Sequence, residues 1–375
     1  MNTPFGRLRL KRWPESTDKS LQAWDAADEL LLAHIHEHQS GLLTSGGRIL
    51  ICNDAHGALG CALQEFNPTV WSDSFLAHNA LKKNWQANFF SGQPNATDSL
   101  STPEGRFSLI LIKVPKTLAL LEDQLARIRP LLHEHSIVIA ASLVRHLHRN
   151  AFTLFEKYLG EVATSLAVKK ARLVFCTPDF ARPSILSPYP DAYTDNDLAL
   201  TLVNHANVFC RDRVDIGARF FLSHCSGLPK VVDIIDLACG NGILGIYVQR
   251  LQPDARVHFI DESYMALASA KENYARNITP VKQTPGFTVG NGLEKHGCDS
   301  TDLIICNPPF HVQHAVADDT ARSFFKHAAR CLKENGELWV VANRHLRYRE
   351  YMRRYFNRCD VIEGNRKFIL LRALS

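Results

Sequence analysis

Nowhere do the 375 residues contain an unbroken apolar run long enough to span a bilayer, which excludes a membrane helix. An amino-terminal signal-peptide pattern is also missing, so a cytoplasmic protein is expected. Ten cysteines are scattered without one Cys-x-x-Cys pair. Several of them, Cys52, Cys176 and Cys306 among them, fall in apolar runs. Buried free thiols are therefore expected rather than a disulfide framework. His34-x-His36-x-His38 has no third ligand in view, and no metal is expected. A strong excess of one charge is missing too, with 43 lysines and arginines against 38 acids. A net charge of +5 is modest for a nucleic-acid partner, so the distribution of charge carries more than its total.

The chain does contain an apolar strand, Asp302-Leu303-Ile304-Ile305-Cys306, that runs into Asn307-Pro308-Pro309-Phe310. Such a turn suits a flat amino group. The NH2 of a purine has its lone pair delocalised into the ring and is a poor nucleophile. Hydrogen-bond acceptors can draw its hydrogens out of plane. The Asn307 side-chain oxygen can take one and the Pro308 carbonyl the other. Proline fixes φ and lacks an N–H, so the turn is stiff and rich in acceptors. Phe310 can stack on the base, worth roughly 1–3 kcal/mol.

Upstream, the apolar run Val231–Leu237 enters Asp236-Leu237-Ala238-Cys239-Gly240-Asn241-Gly242, with Gly245 and a helical stretch, 246–251, beyond. Glycines let a backbone turn sharply and approach a ligand closely. Alone this signal is weak, since dinucleotide folds use a similar loop. Val257–Asp261 then reads as a strand ending in an acid able to grip ribose hydroxyls. Phe287-Thr288-Val289 ends near Asn291, placed to meet an adenine edge. In a parallel α/β sheet these strand ends share one edge. The cofactor expected is S-adenosylmethionine, and the chemistry methyl transfer to an exocyclic nitrogen by positioning and electrostatics. Cofactor contacts are expected from Asp236, Ala238, Gly240, Gly242, Asp261 and Asn291, and catalytic ones from Asn307, Pro308 and Phe310.

These residues, with Leu21–Trp24, Ile112–Lys116, Asn204–Phe209 and Ala342–Leu346, resemble the bacterial ribosomal RNA guanine-N2 methyltransferases over essentially the whole chain. The resemblance implies a class I, Rossmann-like catalytic domain and methyl transfer to N2 of a guanine in 23S ribosomal RNA of the large subunit. Ala238 departs from it, because glycine is usual there; a positive φ would cost of order 1 kcal/mol or more.

The first half repeats the second. Gly57-x-x-Gly60 parallels Gly242-x-x-Gly245, and Ser74, Asn84 and Asn88 match Ser263, Asn273 and Asn277 in spacing. The chemistry is missing: Ile51 aligns with Asp236, Ala55 with Gly240, Ser72 with Asp261, Lys113 with Asn307 and Lys116 with Phe310. The expected architecture is two tandem class I (Rossmann-like) α/β methyltransferase folds. Residues 1–176 form a degenerate one that binds RNA, 177–195 a Pro-rich linker, and 196–375 the catalytic domain. Lys113 and Lys116 are read either as phosphate grips or as solvated side chains of a structural duplicate.

Arg344, Arg347, Arg349, Arg353, Arg354 and Arg358 face one acid, Glu350, beside Tyr348, Tyr351 and Tyr355. Arg7, Arg9, Lys11 and Arg12 form a second cluster. Both suit backbone contact with RNA, and the tyrosines suit stacking; a solvated face is the alternative. Phe209 is read as a substrate contact or as core. A monomer is expected. Rival readings are methylation of adenine N6, of protein glutamine or of small-subunit RNA guanine, and, from another class, a non-catalytic RNA-binding assembly factor.

Overall fold

The apolar runs do become buried strands. The computed structural model describes residues 1–309 and 314–375 and divides into two units, Met1–Tyr189 and Pro190–Ser375. In the first, a short hairpin, β1 (Asn2–Thr3) and β2 (Gly6–Arg7), precedes the helix Ala26–His38. Then follow β3 (Ile49–Cys52), β4 (Thr69–Ser72), β5 (Asn95–Asp98), β6 (Leu109–Lys113), β7 (Ile137–Leu143), β8 (Gly160–Thr164) and β9 (Ala171–Pro178). They form a seven-stranded sheet in the order β5-β4-β3-β6-β7-β9-β8. The five neighbouring strands β5, β4, β3, β6 and β7 run parallel, while β9 is antiparallel to both neighbours.

The second unit opens on a hairpin, β10 (Asp191–Asp195) and β11 (Leu200–Asn204). Its sheet comprises β12 (Asp233–Leu237), β13 (Arg256–Asp261), β14 (Gly286–Val289), β15 (Thr301–Cys306), β16 (Leu332–Asn343), β17 (Arg358–Gly364) and β18 (Phe368–Leu374). The order is β14-β13-β12-β15-β16-β18-β17, the same sequence of crossovers as in the first unit. The fold is thus two tandem Rossmann-like domains. The Pro-rich stretch is not all linker: Thr177 and Pro178 end β9, and Asp191–Asp195 is β10.

Each sheet is coated on both faces. In the second unit one face packs Phe221, Phe259 and Trp339, the other Phe325, Tyr348 and Met352. Burial of such side chains contributes roughly 1.5–3 kcal/mol each. Tyr348 and Tyr351 therefore belong to the core, which removes them as stacking surfaces for RNA; Tyr355 stays exposed.

The matched asparagines explain their own spacing. Asn84 Oδ1 accepts from the Lys11 amide at 2.9 Å, and its Nδ2 donates to the Lys11 and His56 carbonyls. Asn273 holds Val203 and Asn241 in the same manner. One turn on, Asn88 pairs with Arg9 as Asn277 pairs with Thr201. In both units a helix clamps an extended incoming segment. Arg9 and Lys11 are thereby fixed through their backbone. No described helix is long and apolar enough to cross a membrane.

Candidate active site

Parallel register brings the expected residues to one sheet edge. Leu237 lies beside Ile260 on one side and Cys306 on the other, so the chain leaves all three strands at the same end. The glycine loop, Asp261 and Asn307 follow there.

Three residues of the loop alternate into left-handed backbone: Ala238 (φ 57°), Gly240 (φ 55°) and Gly242 (φ 81°). Gly242 caps the helix Ile243–Leu251, which starts earlier than the sequence suggested. A Cβ on Gly242 would meet Ala270 at 3.0 Å, so glycine also permits close helix packing. Among the described residues no atom lies within 4 Å of a Cβ built on Gly240, which leaves that stretch of loop open-faced. Ala238 carries the strain its positive φ implies. We expect Ala238→Gly to stabilise the second unit by about 0.5–1 kcal/mol, once the entropy of glycine in the unfolded chain is discounted. Denaturant unfolding checks this; a destabilised variant would refute it.

Asp236 is buried, and its Oδ2 accepts from the Gly245 amide at 2.8 Å. A Cβ on Gly245 would lie 2.4 Å from Phe259, so only glycine lets the helix sit this close. Asp236 Oδ1 is buried without a hydrogen-bond partner among the described residues. Burial pushes this carboxyl up to about 7, against the Gly245 amide and reinforced by the charge of Asp261. The first unit keeps the anchor but moves its source: Asp54, in the loop, accepts from Ala58 and Gly60.

Asp261 ends β13 and braces the loop: Oδ2 accepts from the Gly240 amide at 2.9 Å, Oδ1 from Ser263 at 2.9 Å. Asn291 donates to Glu294 at 3.1 Å. An open-faced loop, an acid beside it and an orphaned buried oxygen fit a polar nucleoside cofactor of the kind expected.

Asn307 leaves β15 with its amide fixed. Nδ2 donates to Asp215 at 3.2 Å, while Oδ1 is buried without a partner among the described residues. Pro308 is buried behind it. Phe310, the expected stacking residue, lies outside the described residues. Sequence reasoning missed two polar links to this site. Asn204 Oδ1 accepts from Asn241 in the glycine loop at 3.0 Å, and Asp215 accepts from Asn307. Phe209 is 52% exposed, which removes the core reading.

The basic residues separate into different fates. Lys113 does not present its charge outward. Its Nζ sits 2.8 Å from Asp25 and 2.6 Å from Asp28, and the side chain is only 15% exposed. The two carboxylates hold the ammonium above its ordinary range despite burial. Its phosphate role is accordingly withdrawn. Lys116, Arg353 and Arg354 are exposed; Arg347 pairs with Glu350, and Arg344 donates to the Asn365 carbonyl at 2.9 Å. Arg344 also borders a surface cleft of about 540 Å³ with Asn343, His345, Arg366 and Lys367. The sequence reading overlooked Arg366 and Lys367. Asn343 pairs with Phe368, whose ring edge comes within 3.3 Å of a Cβ built on Gly217, the same position that lies 3.5 Å from Asn307 Oδ1. Among the described residues no group of His, Cys, Asp and Glu is placed to hold a metal.

Two family models match: RLMG N-terminal domain over residues 1–180 and Methyltransferase small domain over residues 199–372. The chain is 45% identical to ribosomal RNA large subunit methyltransferase G of Ectopseudomonas mendocina, over 99% of this chain and 98% of that one. It is 42% identical to the protein of that name from Streptomyces griseus, over 100% and 98%. Among solved structures it is similar in fold to the T. thermophilus 16S rRNA N2 G1207 methyltransferase in complex with AdoMet and guanosine. There the TM-score is 0.73 and the identity 18%, over 100% of this chain and 97% of that one.

Proposed function

This chain belongs to the ribosomal RNA large subunit methyltransferase G family, and from that premise we propose that it methylates N2 of a guanine in large-subunit ribosomal RNA. The observation that carries the reading is the Asn307 amide, whose oxygen is buried and, among the described residues, left without a partner at the edge where the glycine loop opens. That oxygen accepts one hydrogen of the target amino group and turns the nitrogen lone pair out of the ring. Pro308 stiffens the turn. S-adenosylmethionine, when bound, supplies an electrophilic methyl group on a sulfonium. Gly240 and its neighbours give its nucleoside a close backbone approach, and Asp261 and Asn291 offer polar contacts to ribose and base. Asp236 anchors the helix behind the loop. The target base must be unpaired or flipped, because guanine N2 is engaged in pairing.

RNA backbone is held by the exposed cations Arg344, Arg353, Arg354, Arg366 and Lys367, of which Arg344, Arg366 and Lys367 line one surface cleft. Lys116 and Phe209 are the remaining candidates for contact. The first unit, residues 1–176 in the sequence reading, serves as a second RNA-contacting surface. The test is tritiated methyl transfer to large-subunit RNA followed by nucleoside analysis. N2-methylguanosine is expected; label in adenosine, or none, would overturn the reading.

Asp261→Ala should weaken S-adenosylmethionine binding by roughly 1.5–3 kcal/mol, the range for charge-assisted hydrogen bonds. Calorimetry on the whole chain measures it, and the aligned Ser72→Ala should leave affinity alone. Two cofactors bound per chain would refute the reading that the first unit lost its site.

A further inference from the structure

We propose that Asp215 is a positioning residue for methyl transfer, one that sets which end of the Asn307 amide faces the substrate. The inference rests on the role given to Asn307 above and extends it to a residue that never touches the base.

An asparagine amide can be turned either way, and only one way helps. With the oxygen forward it accepts from the guanine amino group. With the NH2 forward it repels that group. A carboxylate can only accept. Placed beside Asn307, Asp215 forces Nδ2 toward itself and leaves Oδ1 forward. The contact is 3.2 Å, and Oδ1 is buried with no partner among the described residues. Asp215 is itself immobilised. It caps the helix Ile216–Leu222, with Oδ2 accepting from the Ala218 amide at 3.0 Å. Cys210 Sγ lies 3.9 Å from its other oxygen. Gly217 makes room for the arrangement: a Cβ there would sit 2.9 Å from Asp215 Oδ2 and 3.5 Å from Asn307 Oδ1.

The first unit contains the same contact with one partner exchanged. Asp25 caps the helix Ala26–His38, and it meets Lys113, the residue that aligns with Asn307. A helix-capping carboxylate reaching the end of the fourth parallel strand is thus common to both units. Where the strand offers a lysine, the carboxylate closes an ion pair. Where it offers an asparagine, the carboxylate orients an acceptor.

The decisive experiment is a double-mutant cycle, read by single-turnover methyl transfer to large-subunit RNA. Asp215→Ser keeps a helix cap but is too short to hold the amide. It should lower the transfer rate about 10- to 100-fold, with KM for RNA and Kd for S-adenosylmethionine within a few-fold of wild type. In the Asn307→Ala background the same substitution should change the rate less than about 2-fold, because no amide remains to orient. Asp215→Asn, which can still present an oxygen to Nδ2, should restore part of the rate. Equal losses in both backgrounds would reduce Asp215 to a cap and overturn the proposal. So would Asp215→Ser with an unchanged rate. If Asn307→Ala itself retains full turnover, the role of Asn307 fails first, and that outcome is distinct from either of the others.

Discussion

Asn307→Ala should lower the rate of methyl transfer by roughly two to three decades, the loss found when one preorganised electrostatic contact is removed from a reacting centre. Affinity for S-adenosylmethionine should stay within a few-fold. The division follows from position. Asn307 leaves β15 at the edge shared with the glycine loop, yet its hydrogen bond runs to Asp215, whereas the loop braces on Asp261. Single-turnover labelling gives the rate and calorimetry the affinity. A variant with near-normal turnover would remove Asn307 from the mechanism. One that lost both properties together would relocate it to the cofactor pocket.

Lys113→Ala should destabilise the first unit by roughly 3–5 kcal/mol, the range for a buried pair broken from one side. The Asp28 side chain is 8% exposed, and without Lys113 its charge has no cation to answer it; Asp25 is more exposed and contributes less. Lys113→Met/Asp28→Asn removes both charges and should recover part of the loss. RNA affinity, measured where the unit stays folded, should not change. Denaturant unfolding of the whole chain, followed by a probe within the first unit, separates the two variants. Undiminished stability together with a fall in RNA affinity would return Lys113 to the phosphate-binding role.

The contrast between these positions indicates what could be read from residues alone. Strand ends and glycine spacing are local, and from them alone the loop, Asp261 and Asn307 fall on a common edge. The internal repeat was equally visible, because Gly57-x-x-Gly60 and the paired asparagines keep their spacing. What those asparagines hold was not. Asn84 reaches Lys11 across 73 residues, and Asn307 reaches Asp215 across 92. Nothing in the periodicity of either segment announces such a contact. The repeat reads Lys113 by the residue it replaces, whereas its partners lie 85 and 88 residues away. Tyr348 and Tyr351 looked exposed among arginines, but their helix turns those two rings inward and sends the guanidinium groups out. The repeat does supply a signal for Asp215: an acid at a helix start in the second half answers Asp25 in the first.

The exchange of Lys113 for Asn307 across otherwise matching frameworks has a genetic consequence. Asparagine and lysine codons differ only in the third base, so a single transversion separates an acceptor from a cation at the end of this strand. In the catalytic half, Asn307→Lys would seat an ammonium against Asp215 much as one already sits against Asp25. Inheritance of that change would yield a chain that folds, accumulates and still competes for RNA, but is silent as an enzyme. Loss of activity at this codon would therefore be scored by the absence of modified RNA and not by the absence of protein.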